Sequence, residues 1–531
     1  MIAEFILTLG IVLIPYAIYK YKTVNKQYFA ERNVECKDLS FSLYNIYAMF
    51  VGKNDVIQFV QRHYDQFPDE PLYGIYGIMG RQVFIRDPDL CKQIFVKDFV
   101  NFEDRKGFIN EDVDELWGKS LLSLHGEKWR QMRATLSPAF TGSKMRLMFE
   151  LVLECADGII KHFLKQIENG EKINLEMKDF FSRYTNDVIA SCAFGIKVNS
   201  IAEPDNSFYR NGKVLMDFSG VKRSIKFFVT MLCTKFARLF NIKFFDEAIS
   251  NEFKAMILNT MDLRKKNHIF RPDMINILMQ VRDGVLNAEE APKEVSEGFA
   301  TVEESEVGKT SVSHKWNDDE LVAQCLVFFL AGFETSSSVL SFAAYEILAN
   351  PDVQQKLYEE IAEVNEQLGE KRVSYDVLQK MKYLDQVVSE TLRKWPVAVM
   401  IDRLCVKNYV YDDGKQLNFK IDKGVSVLFS LMSIQNDPKY FPNPSKFDPE
   451  RFSDENKHNI VPGTYNPFGL GPRNCIGSRF ALMELKAILY YLLLNFSLEP
   501  NKDTQIPLKL RKSPFVIAEK GVHLELKPRA K

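Results

Sequence analysis

The densest chemical signal in the chain is Phe468-Gly469-Leu470-Gly471-Pro472-Arg473-Asn474-Cys475-Ile476-Gly477. A Gly/Pro-rich loop presents one cysteine, and an amphipathic helix is expected to start at Ser478. Glycines let the backbone lie flat against something large and planar. Backbone N–H groups at the helix start, and Arg473 just before the cysteine, favour thiolate over thiol. A thiolate held this way is a nucleophile or a metal ligand. A nucleophile needs a base; the nearest histidine in sequence is His458, although the fold can bring one from afar. A second polar signal is Ala331-Gly332-Phe333-Glu334-Thr335, which interrupts an apolar run. A carboxylate and a hydroxyl inside a buried helix are costly unless paired or used in chemistry. The plainer alternative is a glycine bend with Thr335 bonding back to a carbonyl.

The elements that must hold these groups read mostly as helix. Apolar residues recur at helical spacing over 147–163, 348–368 and 378–392. Asn317-Asp318-Asp319-Glu320 is an N-cap with acids in the first turn, opening a helix that ends near Asn350-Pro351. Strand-like pieces are short: 82–85, 407–411 and 515–517. Asp283 to Lys315 holds eight acids against three lysines and reads as a solvated surface loop.

Composition bounds the class. The chain has 531 residues, 46% hydrophobic and 26% charged, within the globular range. The net charge of −1 does not advertise nucleic-acid binding. The 41 phenylalanines suggest a large apolar interior or cavity. The 8 cysteines are scattered without a C-x-x-C pair, which suggests neither a zinc site nor a disulfide framework and points to a reducing compartment. Ile2 to Tyr19 is apolar apart from Glu4, Thr8 and Gly10, just long enough to span a bilayer core. Lys20, Lys22 and Lys26 follow, a flank that keeps the rest cytosolic. No basic n-region or small-x-small cleavage site marks a signal peptide.

The cysteine loop resembles the haem-binding signature of the cytochrome P450 family, F-x-x-G-x-R-x-C-x-G. Phe468, Gly471, Arg473, Cys475 and Gly477 all match; a chance match is on the order of one in ten thousand. Glu390-Thr391-Leu392-Arg393 matches the family's E-x-x-R, 447–452 resembles its P-E-R-F segment, and Ala331 to Thr335 matches A-G-x-[DE]-T. Trp129 with Arg133 matches W-x-x-x-R. Segments 134–145 and 28–34 resemble the insect detoxifying branch, its ninth family. The family's proline-rich hinge after the anchor is absent: no proline occurs between Pro15 and Pro68.

The resemblance implies a mainly α fold with small β-sheets, the cytochrome P450 fold, plus one N-terminal transmembrane helix. Residues 1–26 would be the anchor and its basic flank, and 27–531 the catalytic domain. Cys475 would be the axial ligand of haem b, whose thiolate favours O–O cleavage. Trp129, Arg133, Arg403 and Arg473 would meet the haem propionates, and Arg105 would join them, although it reads better as a surface ion pair. Phe468 would pack the loop on the haem. Glu334 and Thr335 would supply and position protons on the oxygen side. Glu390, Arg393 and Arg451 would form a structural triad. With no G-x-G-x-x-G site, electrons must come from NADPH through a separate flavoprotein reductase, with cytochrome b5 as an optional second donor, at the endoplasmic reticulum membrane. Lys128 and Arg130 are expected on the docking face. Lipophilic xenobiotics lead as substrates, with an endogenous hormone, fatty acid or hydrocarbon as runner-up. The variable walls 102–122 and 207–245, including Phe227, Phe228, Phe236 and Phe240, are expected around the pocket. A haem-thiolate isomerase and a haem-binding sensor are the rival classes; Glu334-Thr335 tells against the isomerase.

Overall fold

The computed structural model describes residues 2–529 except 39–55, 78–79, 108, 110, 217–220, 272, 284–297, 303–315, 416 and 512–515. Within helices, the side chains of 2–15, 216, 221–222, 224, 228 and 231–232 also fall outside the described set.

One helix, Asp318–Ala349, runs through the middle of the molecule. At its start Asn317 Oδ1 accepts from the Glu320 amide and Glu320 Oε2 accepts from the Asn317 amide, both at 2.9 Å. This capping box satisfies two otherwise orphaned donors. Its 32 residues span about 48 Å. The helix is unbroken across Ala331–Thr335. A Cβ at Gly332 would collide with Ile189 Cδ1. The glycine therefore lets helix Met177–Ile189 pack closely against the central one. Gly142–Glu168, Lys382–Lys394 and Ser478–Asn495 complete the main core. The helix after the cysteine loop is not amphipathic as expected: even Glu484 and Lys486 are fully buried.

The sheets are small. Five strands run in the order β1 (Cys36–Asp38), β2 (Leu72–Gly77), β3 (Gly80–Ile85), β8 (Ser426–Ser430) and β5 (Met400–Leu404). β4 (Ile173–Glu176), β10 (His523–Pro528) and β9 (Phe496–Glu499) form a second sheet, and β6 (Tyr409–Asp412) with β7 (Asn418–Ile421) a third. In β5, Arg403 lies opposite Val427 of β8. Strand alternation puts Arg403 on the same inward face as Ile401.

Several expectations change. The 378–392 pattern is two helices, Tyr375–Lys380 and Lys382–Lys394, parted at Met381. Val516 and Ile517 are not strand, though Leu510 bridges Ala518 beside them; Phe515 lies outside the described residues. Most of the acidic segment 283–315 is likewise outside them. The piece that is described, 298–302, is not a solvated loop: Ala300 is buried. The N-terminal helix, Ile2–Ala30, continues past the apolar run, and Tyr28 and Phe29 are buried in the body. The expected boundary at residue 26 falls inside it. Among the described residues, only the mostly buried Asp318–Ala349 is long and apolar enough to count as a candidate membrane span.

Candidate active site

The cysteine loop closes on itself. The Cys475 amide donates to Phe468 O at 2.8 Å and the Asn474 amide to Gly471 O at 2.9 Å. Gly471 has φ +73°, and a Cβ there would collide with the Phe95 carbonyl. Only glycine meets both conditions. Phe468 packs against the main core.

Cys475 has open space beside its side chain, although protein atoms are dense around it. Its side chain therefore faces internal space and not bulk water. Burial pushes the thiol above its ordinary value, opposed by the Gly477 N–H and by Arg133 and Arg105. Burial dominates here, and coordination to a metal ion is what deprotonates such a thiol outright.

The arginines form a cradle around the loop. Arg133 donates through Nη1 to Asn474 O at 2.9 Å and through Nη2 to Asn474 Oδ1 at 2.8 Å. Arg473 turns the other way, with Nε on Glu103 O at 2.6 Å and Nη2 on Leu124 O at 2.8 Å. Its guanidinium lies over the buried Trp129 ring at 4.1 Å. Arg403 donates to Leu470 O at 2.7 Å. Arg105 donates to Arg473 O at 3.0 Å, so it belongs to this cluster and is not a surface ion pair. Burial, and then the charge of Arg105, lower both Arg403 and Arg473 to about 9. The Nε atoms of Arg105 and Arg403 are buried without a hydrogen-bond partner. Crowded cations with orphaned donors are a site for an anion.

Across the interior stands the central helix. Ala331 and Thr335 are exposed although the helix around them is buried. Their i, i+4 spacing puts them on one face, and that face meets internal space. Thr335 Oγ1 also donates to Ala331 O at 2.6 Å. Glu334 is not on this face. Its Oε1 pairs with Lys178 Nζ at 2.9 Å, and the same ammonium donates to Ser337 Oγ at 2.6 Å. The expected acid–alcohol pair is thus split in this structure.

Behind the loop, Arg393 Nε lies 2.7 Å from Glu390 Oε2, both side chains fully buried, and Arg451 Nε is 3.4 Å from Glu390 Oε1. Arg393 also donates to Gln435 O at 2.9 Å and Pro444 O at 2.8 Å. The triad ties a helix to the segment that leads into the cysteine loop.

Elsewhere the geometry is less kind to expectation. Arg130 Nε donates to Glu103 Oε2 at 2.9 Å, so this cation is already partnered; Lys128 is exposed, 3.9 Å from Glu111. Phe236 and Phe240 face solvent with their rings 4.4 Å apart, and so do not line an interior pocket. Phe227 packs on Phe244, and the Phe228 side chain is outside the described set. Lys178, Asn474 and Phe95 were not anticipated. Each acts on a residue far away in sequence; Asn474 lies inside the cysteine loop but at a position the signature leaves open, and nothing local marks Lys178 or Phe95.

A planar, anionic, metal-bearing group is what reconciles the flat glycine loop, the enclosed thiol and the orphaned guanidinium donors, which makes this a haem-thiolate protein. The chain belongs to the cytochrome P450 family, whose model matches residues 42–526. It is 41% identical over 511 residues to "Probable cytochrome P450 9f2" of Drosophila melanogaster, covering 95% of both chains. It is 40% identical over 524 residues to "Cytochrome P450 9e2" of Blattella germanica, covering 96% of this chain and 95% of the relative. "Cytochrome P450 9b2" of Drosophila melanogaster is 38% identical over 502 residues, covering 93% of each chain. The chain is accordingly a haem monooxygenase.

Proposed function

We propose that this protein inserts one oxygen atom of O2 into lipophilic substrates, foremost xenobiotics such as plant toxins or insecticides. Cys475 ligates the haem iron, and Arg105, Arg403 and Arg473 with Trp129 hold its propionates. Arg133 acts one step removed, by fixing Asn474 and with it the backbone of the ligand loop. Bound haem supplies the oxygen activation. Thr335 offers its hydroxyl to the interior and holds a proton there. Glu334 exchanges protons with the solvent side through its pair with Lys178, since its side chain is half-exposed. The observation that carries this reading is the exposed Thr335–Ala331 face inside an otherwise buried helix, with an enclosed thiol as its counterpart.

Electrons come from NADPH through a separate flavoprotein reductase, with cytochrome b5 as an optional second donor. Ile2–Tyr19 and the lysines after it support anchoring in the endoplasmic reticulum membrane with the catalytic body in the cytosol. The xenobiotic assignment rests on the likeness to the insect ninth family. The test is a spectral-shift screen of lipophilic toxins, fatty acids and hormones, followed by turnover with reductase and NADPH. Turnover of toxins is expected. Turnover of an endogenous lipid alone would replace the substrate class, and turnover of peroxides without reductase would replace the reaction.

A further inference from the structure

Between helix Met274–Arg282 and the central helix, Gly298–Val302 sits among the elements that carry the cysteine loop. Three contacts seat it. The Phe299 amide donates to Asp385 Oδ2 at 3.0 Å, on the helix that also carries Glu390 and Arg393. Asp385 is itself fixed by the fully buried Lys486, at 2.8 Å, from the helix that follows Cys475. The Phe299 ring lies 5.1 Å from Phe452 and 5.5 Å from Tyr465. Phe452 follows Arg451 of the buried triad. Tyr465 stands at the root of the cysteine loop, with its hydroxyl donating to Ser389 O at 3.0 Å. One side chain thus touches the triad segment and the root of the ligand loop, while its own amide grips the triad helix.

Val302, three residues on, lines a cleft of about 20 Å³ together with Cys475, Ile476, Phe140, Arg133 and Ser137. That is room for about one water molecule. Gly298 has φ +120°, and a Cβ there would sit 2.8 Å from Asp385 Oδ1. The turn that delivers Phe299 therefore demands glycine. Nothing in this segment resembles the motifs that carry the chemistry.

We propose that Phe299 and Val302 are positioning residues for the thiolate. Phe299 clamps the segment onto the loop root, and Val302 walls the cleft beside Cys475 so that it admits one water and no more. The number of donors near a thiolate and its access to solvent tune a haem-thiolate centre. Opening the cleft stabilises negative charge on sulfur by hydration. That weakens donation to the metal, moves the reduction potential to more positive values and, by letting solvent reach a more weakly held sulfur, speeds loss of the ligand.

The test uses the full-length holoenzyme with Phe299→Ala, Phe299→Leu and Val302→Ser. The readouts are reduction potential, the rate at which the red-shifted carbon monoxide band decays to the blue-shifted one, and thermal stability. Phe299→Ala and Val302→Ser are expected to raise the potential and speed the band's decay severalfold. Phe299→Leu should restore most of both. Val302 is only partly buried, so Val302→Ser should do this with little change in melting temperature. If the variants lower melting temperature while potential and band decay stay at wild-type values, the segment is merely structural and the proposal fails. No effect on any readout also overturns it. Loss of the red-shifted band from the unmodified protein would instead remove the haem-thiolate reading on which the proposal rests.

Discussion

Glu334 Oε1 lies 2.9 Å from Lys178 Nζ, while its neighbour Thr335 opens onto the interior. Successive helical residues point about 100° apart, so the two neighbours face different ways: the carboxylate turns to Lys178 while the hydroxyl stays on the Ala331 face. A proton passing from Glu334 to the interior must first leave the Lys178 pair. On the proposed reading, Thr335 is therefore the group whose removal tests the proton path most directly.

Thr335→Ala should lower product formed per NADPH consumed and raise hydrogen peroxide release. Removing a positioned proton-transfer group costs about 10²–10⁴-fold, and waters substitute in part, so the loss should fall at or below the low end. NADPH consumption and the spectral binding constant should change less than coupling. Product, peroxide and NADPH measured in one assay decide it; unchanged coupling would leave the bond from Thr335 to Ala331 O as this hydroxyl's whole role.

Cys475→Ser should abolish the red-shifted band of the reduced carbon monoxide complex, because that band needs a thiolate opposite the gas. Cys91 and Cys325 are fully buried thiols, and burial raises both well above the usual range. A retained band would mean that another cysteine is the ligand.

Glu390→Ala should yield little folded, haem-loaded protein. Arg393 and Arg451 would be left facing each other in a buried site, and removing one partner of a buried pair costs about 3–5 kcal/mol. Arg451→Lys should be milder, since Arg451 is partly exposed and its guanidinium also bonds Asn443 O. Haem content per protein and urea midpoints give the ranking; equal losses would refute it.

Glu484 offers a pH test. Burial raises its folded value from 4.5 to about 8, with Ser336 opposing. Below 4.5 both folded and unfolded states are protonated, and the group contributes nothing. Between 4.5 and 8 only the unfolded state ionises, so stability falls as pH rises, reaching a few kcal/mol by the upper end. Glu484→Gln should flatten the decline in melting temperature between pH 5 and 8. The slope is the measurement, since the buried amide has its own cost; parallel curves would show that Glu484 is ionised when folded.

Removing residues 1–19 should release much of the protein from membranes and leave haem binding intact. Beyond the cut the first helix is held to the body: Tyr21 Oη donates to Gly77 O at 2.9 Å, and Arg81 Nε to Asn25 Oδ1 at 2.7 Å. Fractionation and haem content report the two effects separately. Loss of haem would place the apolar run inside the fold.

Local grammar carried much of this protein. The cysteine loop, the i, i+3 spacing of Glu390 and Arg393 and the capping box at Asn317 are short-range patterns, readable because residues a turn apart share a face. The membrane-length run at Ile2 depends on composition alone. Tertiary structure decided what sequence distance hides. It split Glu334 from Thr335 by bringing Lys178 alongside. It gathered Arg105, Arg403 and Arg473 from three distant segments into one cradle. It turned Phe236 and Phe240 outward although their type suggested a pocket wall, because an apolar side chain takes whichever face its helix presents. It also drew Phe299 out of an acidic stretch to the root of the ligand loop. Charge balance over a segment reports its average solvation, whereas one aromatic ring needs only one complementary seat, and that seat exists only after Phe452 and Tyr465 have been folded together.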